Sequence, residues 1–220
     1  MTLVVGPRSV KLPCHRNLLA YFSEFFSRGL KGNFKESRED VFALPEEDVD
    51  DIQCFVTWAY TGEFIGPNTS LVDVTELNKS PSAIFKLWVL GDRLLAPRFA
   101  NRAMAHIFAW LTAFYLTPDC VRYTYDNTVP GAPLRLLVRD VILVEGPFSA
   151  KCLKDSRSRK TEWTELIGEG GDFVIDVVTH GGFSIYSKTT KPYDAKNCQK
   201  YLKEEGGRSA GEWVASSLGG

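Results

Sequence analysis

Histidine is scarce in this chain. The 220 residues hold three (His15, His106 and His180), and no acid–base pair emerges from them at the level of a motif. The five cysteines (Cys14, Cys54, Cys120, Cys152, Cys198) are odd in number, widely spaced, and form no C-x-x-C pair. That spacing argues against a zinc ribbon and a disulfide framework, so the thiols read as reduced and the protein as intracellular, in cytoplasm or nucleus. Long apolar runs are missing too. The longest window, 103–116, is interrupted by His106 and is shorter than the roughly 20 residues a bilayer span needs. A basic-then-apolar leader with a small-residue cleavage site is also lacking. Charge of one sign does not dominate: the net charge is −1, which gives no bulk attraction to nucleic acid or to an acidic membrane.

What the chain has is core material. Apolar residues make up 44% and aromatics 12%, enough for one sizeable domain, or for a smaller domain with an extension. Residues 3–14 read as a hairpin, with LVV and SVKL as strands and GPRS as the turn. Leu18, Leu19, Phe22, Phe25, Phe26 and Leu30 recur at helical spacing, and Ser23 is placed to cap a second short helix after a break, with Gly29 and Gly32 as the end signals. VFAL (41–44) is a strand candidate. The acidic run Glu46 to Asp51 opens a helix whose stripe is Ile52, Phe55, Val56 and Ala59, and Gly62 closes it. Phe64 and Ile65 are candidates for a further brief strand. After a polar loop (66–81), helices are predicted over about 82–95 and 98–115, parted by Pro97. Thr117-Pro118 starts another. LRLLVRDVILVE (134–145) fits a helix or a strand, and 161–178 fits one or two helices. Residues 186–220, rich in Lys, Gly and Ser, have too few aliphatic side chains to offset their ordering entropy and are expected to lack fixed structure.

The order hairpin, helical pair, strand, helix, loop, helical pair resembles the BTB/POZ domain family. CHRNLLAYFSEFF carries the family's His-Arg, Leu and Ser-x-x-Phe positions at His15, Arg16, Leu19, Ser23 and Phe26. WAYTG (58–62) is similar to its Tyr-Thr-Gly, and GDRLLAPRFANRAM (91–104) to the segment joining its last two helices. LPEED and YDNTVPGAPLRLLVRD (125–140) resemble the fungal branch. The resemblance implies an α+β BTB/POZ fold, a small β-sheet flanked by a cluster of helices, with a C-terminal helical extension. It divides the chain into a BTB/POZ domain (1–112), a helical extension (113–185) and a tail (186–220). It implies a non-enzymatic protein–protein interaction module with no cofactor, metal, nucleic acid or membrane. Leu18, Tyr21 and Phe22 would lie near a self-association face. The sequence starts at the hairpin, where many relatives have a longer first strand, which argues against a strand-swapped homodimer and leaves one through the first helix open. Phe34-Lys35-Glu36 resembles the element with which some relatives bind the cullin scaffold of ubiquitin ligases, an aromatic anchor with a carboxylate fixing register. Phe34 and Glu36 would then make the chain a substrate adaptor, although kelch, MATH and zinc-finger segments are lacking.

Other patterns have plainer accounts. The acidic stretch 36–51 suits helix-start chemistry and solubility better than a basic partner. Cys14 and His15 are adjacent on an extended segment and point to opposite faces, so they suit a metal poorly. His180-Gly181-Gly182 has the look of a lipase oxyanion loop, the basis for a small-hydrolase alternative, yet no Gly-x-Ser-x-Gly elbow accompanies it. GEGGDF (168–173) lacks the Lys-Ser or Lys-Thr of a phosphate loop. KDSRSRK (154–160) is a short basic run with the composition of a solvated loop.

Overall fold

The computed structural model describes residues 1–31, 40–64, 82–145, 160–180 and 190–205. They divide into two compact units, Met1–Ala103 and Met104–Gly220.

The first unit opens on strands β1 (Thr2–Val5) and β2 (Val10–Pro13), paired antiparallel with Leu3 opposite Leu12. Gly6 turns the chain between them at φ +69°, and Ser9 N–H donates to Gly6 O at 3.0 Å. Strand β3 (Val41–Leu44) lies parallel to β1, giving the order β2-β1-β3. Alternation sets which side chains go inward. Leu3 faces Phe42 and Val5 faces Leu44, and all four are buried. Each such burial is worth about 1.5–3 kcal/mol.

Helices α1 (Arg16–Phe22) and α2 (Glu24–Lys31) are parted at Ser23, which takes extended dihedrals. Its buried hydroxyl accepts from Phe26 N–H at 3.2 Å, capping α2, and donates to Leu94 O at 2.6 Å. Gly29, read from the sequence as an end signal, instead lies inside α2. A Cβ there would stand 2.6 Å from the ring of Phe42, so the bare backbone is what lets that ring pack. Helix α3 (Val49–Thr61) starts at Asp48, whose carboxylate accepts from Asp50 N–H and Asp51 N–H. It ends at Gly62, left-handed at φ +78°, with its N–H on Trp58 O. Its buried side chains are Ile52, Cys54, Phe55, Trp58 and Ala59. Val56, expected inside, is half-exposed. Phe64 is not in a strand: it is buried with its ring 5.1 Å from that of Phe99.

Helix α4 (Ser82–Arg93) is followed by a turn in which Leu95 takes φ +49°, and then by α5 (Pro97–Ala113). A Cβ on Gly91 would lie 2.9 Å from Ala100 N, so glycine sets how closely α4 and α5 approach. The rings of Phe26, Phe55, Trp58 and Phe99 pack in sequence at centroid separations of 5.1–6.2 Å, joining α2, α3 and α5 into one aromatic core.

In the second unit, α6 (Pro118–Asn127) begins at Thr117, which accepts from Cys120 N–H, with Pro118 in the first turn. The ambiguous segment is a helix, α7 (Pro133–Glu145), and two more follow, α8 (Lys160–Glu169) and α9 (Asp172–His180). Arg135 of α7, only 3% exposed, pairs with Asp172 at 2.7 Å and lies over the Tyr125 ring at 4.2 Å, tying α6, α7 and α9 together. Within the span expected to lack fixed structure, Ala195–Cys198 form helix α10 and Gln199–Tyr201 a 3-10 turn. Aromatic and polar anchors replace the missing aliphatics there: Cys198 and Tyr201 are fully buried.

Candidate protein-docking face

Residues three and four apart share a helix face, so Leu18, Tyr21 and Phe22 of α1 lie together. Leu18 and Phe22 are half-buried, whereas Tyr21 is 68% exposed. Phe22 is anchored inward, its ring edge-on to Trp58 at 4.9 Å, and Tyr21 rests edge-on against Phe22 at 4.9 Å. The exposed phenol is therefore held on a rigid aromatic base. Arg98, at the start of α5, donates to Tyr21 OH at 3.1 Å and lies 5.4 Å from the ring centroid. At the other end of α1, Tyr60 OH stands 2.6 Å from His15 Nδ1 and accepts from His15 N–H at 2.9 Å. Tyr60 and Leu95 are also exposed, at 49% and 43%.

Sequence reasoning missed Tyr60 and Arg98. The WAYTG motif contains Tyr60, and its place in the last turn of α3 was the available signal. Nothing local marks Arg98, because its partner lies 77 positions away. The two other candidates, Phe34 and Glu36, lie outside the described residues. So do the 66–81 loop, Gly181, Gly182 and all of KDSRSRK but Lys160.

Burial, the dominant cause, pushes the Cys14 thiol up, and pushes Cys54 and Cys198 up to about 12, so these are thiols and poor nucleophiles. His180 is exposed, and its Nδ1 pairs with Asp176 O one helical turn back. Among the described residues it makes no bond to a serine, threonine or cysteine. Cys14 Sγ faces Met1 O while His15 faces Tyr60, so the two do not converge. Among the described residues no group of three or more His, Cys, Asp or Glu stands close enough to hold a metal ion. No helix among them is long and apolar enough to cross a membrane. The acidic run works as helix-start chemistry: Asp48 caps α3, and Glu47 pairs with Arg93 at 3.6 Å.

A sheet of order β2-β1-β3 followed by a capped helix and a further helical pair is an α+β arrangement. Residues 1–80 match the BTB/POZ domain. The α+β elements described above fit the BTB/POZ fold. BTB/POZ domains are in general non-enzymatic protein–protein interaction modules, and they often dimerise. No curated protein sequence matches the chain.

Proposed function

We propose that this chain is a non-enzymatic, intracellular interaction protein, and that its BTB/POZ unit pairs with a second copy through the α1 face. One observation carries the reading: Tyr21 is presented to solvent against the half-buried ring of Phe22, itself edge-on to the buried Trp58, beside the half-buried Leu18. An ordinary surface tyrosine has no need of such backing. An interface anchor does, because a side chain already fixed loses little rotamer entropy on docking. The dimerising habit of BTB/POZ domains supports a second copy as the occupant. In this reading the BTB/POZ domain extends beyond the matched residues to about residue 112 and is followed by a helical extension over 113–185. The likeness of LPEED and of residues 125–140 to the fungal branch supports a fungal-type member.

A photo-crosslinking amino acid in place of Tyr21, in the full chain, tests the pairing. Adducts of twice the chain mass, mapping to residues 18–22 of the second copy, are the expected result. Adducts mapping elsewhere, or none at micromolar concentration, overturn it.

A further inference from the structure

The sheet of the first unit has two outer edges, and they are guarded differently. Met1 N donates to Cys14 O and Cys14 N–H to Met1 O, each at 3.0 Å. Bonded pairs recur at every second residue of an antiparallel ladder, so Leu3 with Leu12 and Val5 with Val10 exchange bonds too. The peptide groups of Lys11 and Pro13 therefore point away from β1. Lys11 is an exposed cation and Pro13 has no N–H to offer, and both are devices that keep a foreign strand off an edge.

Strand β3, VFAL, contains neither device. Thr2 N–H donates to Asp40 O and Gly6 N–H to Leu44 O, both at 2.9 Å. With Thr2 in register with Val41, that phase turns the peptide groups of Phe42 and Leu44 toward β1 and those of Val41 and Ala43 outward. Val41 is 38% exposed, and Ala43 is exposed as well. Among the described residues neither backbone makes a further hydrogen bond. The edge thus offers two N–H donors and two C=O acceptors at the spacing of a strand. Charge differs between its ends. Asp40, at the start, is met by the Met1 ammonium at 3.4 Å and by Arg16 at 3.7 Å. Past Leu44 the chain enters a cleft of about 390 Å³ whose described charged lining is Glu46, Glu47, Asp48 and Asp50 against Arg8.

We infer that the outer edge of β3 docks an extended peptide as a fourth strand, antiparallel to β3, with β-branched residues opposite Ala43 and Val41 and basic residues just before them. Main-chain bonds to Val41 and Ala43 make the attachment, and β-branched side chains suit the cross-strand contact with Val41. Antiparallel pairing brings the N-terminal end of the peptide to the Leu44 end of β3, where its lysines meet the acidic lining. A second copy of β3 fits worse. With its Val41 opposite Ala43 it would carry its own Asp40 to that same acidic end, like charge against like. The edge is distinct from the α1 face and does not rest on the pairing proposed there.

The probe is the synthetic peptide Lys-Lys-Thr-Val-Thr-Val-Thr, added at up to millimolar concentration to the isotope-labelled full chain and followed by amide NMR and hydrogen exchange. The amides of Val41 and Ala43 should exchange freely without peptide and at least tenfold more slowly with it. The same peptide with both valine amides methylated keeps every side chain, loses the donors, and should not bind. With both lysines replaced by glutamate it should bind at least tenfold more weakly. Ala43→Pro removes an outward N–H and leaves the bonds of β3 to β1 in place, so the folded variant should lose at least tenfold in affinity. A natively folded variant that binds like wild type overturns the inference. So does equal binding of the methylated or the glutamate peptide by wild type, or no binding of the probe at millimolar concentration, and neither result depends on a variant folding. Slow exchange of Val41 and Ala43 without peptide overturns it as well: at all protein concentrations it means that the chain itself covers the edge, and where it grows with concentration, that a second copy does.

Discussion

Removing the Ser23 hydroxyl should cost more than a helix cap alone. Ser23→Ala takes away the acceptor of Phe26 N–H, a loss of about 1 kcal/mol by the usual cap scale. It also takes away the donor to Leu94 O in a site where Ser23 is 1% exposed, and a buried carbonyl left unpaired costs about 1–3 kcal/mol more. The sum is about 2–4 kcal/mol, a large part of the roughly 5–15 kcal/mol that holds a domain folded. With a urea dependence of about 2 kcal/mol per molar, the midpoint should fall by about 1–2 M. Ser23→Gly separates the two parts, because glycine at a cap costs only a few tenths of a kcal/mol yet still lacks the bond to Leu94. Its midpoint should lie between those of wild type and alanine. Urea titrations by far-UV circular dichroism on all three proteins give the answer. An alanine midpoint indistinguishable from wild type refutes the claim that this hydroxyl ties the first helical pair to the Leu94–Leu95 turn.

Two further outcomes follow from packing and charge. Burial, then the charge of Asp48, raises Asp51 from 3.8 to about 6, with Lys86 opposing. The folded state therefore holds this proton more tightly than the unfolded one, and stability declines as pH rises from about 4 to 6 and is level above. The full difference corresponds to about 3 kcal/mol. Residual solvent contact and the positive end of α3 reduce it, so Asp51→Asn should add about 1–2 kcal/mol at pH 7 and flatten the decline, as read by thermal melts across that range. Gly91→Ala should destabilise by about 1–3 kcal/mol in a urea titration although alanine is the better helix former, since the new methyl meets the Ala100 backbone; a neutral or stabilising result would show that α4 and α5 can part freely.

Local chemistry was legible in the sequence wherever it acts over a few residues. Asp48 and Gly62 bound α3 as caps do, and Ser23 breaks the helical pair as a hydroxyl in that position should. The turn after β1 and the Thr117-Pro118 start follow the same logic. Long-range matters were not legible. No pattern near Ser23 names Leu94, 71 positions on, and none near Tyr21 names Arg98. Gly29 was misread because the reason for it is a ring on another element. Residues 134–145 stayed ambiguous because a continuous apolar run suits both a buried helix and a buried strand; the helical spacing puts Arg135 beside Asp172 and Asp140 beside Tyr201. Residues 190–205 looked too poor in aliphatics to order, but the count ignored that Tyr193 and Tyr201 each bring a ring and a donor to a waiting carboxylate.

The pairing of α1 faces is tested most directly by sedimentation equilibrium on the full chain at tens of micromolar, wild type beside Tyr21→Glu. The account predicts that the wild type sediments at twice the 24.6 kDa chain mass and the variant at that mass once, with unchanged circular dichroism. A wild type that stays monomeric, or a dimer that the glutamate leaves intact, contradicts it.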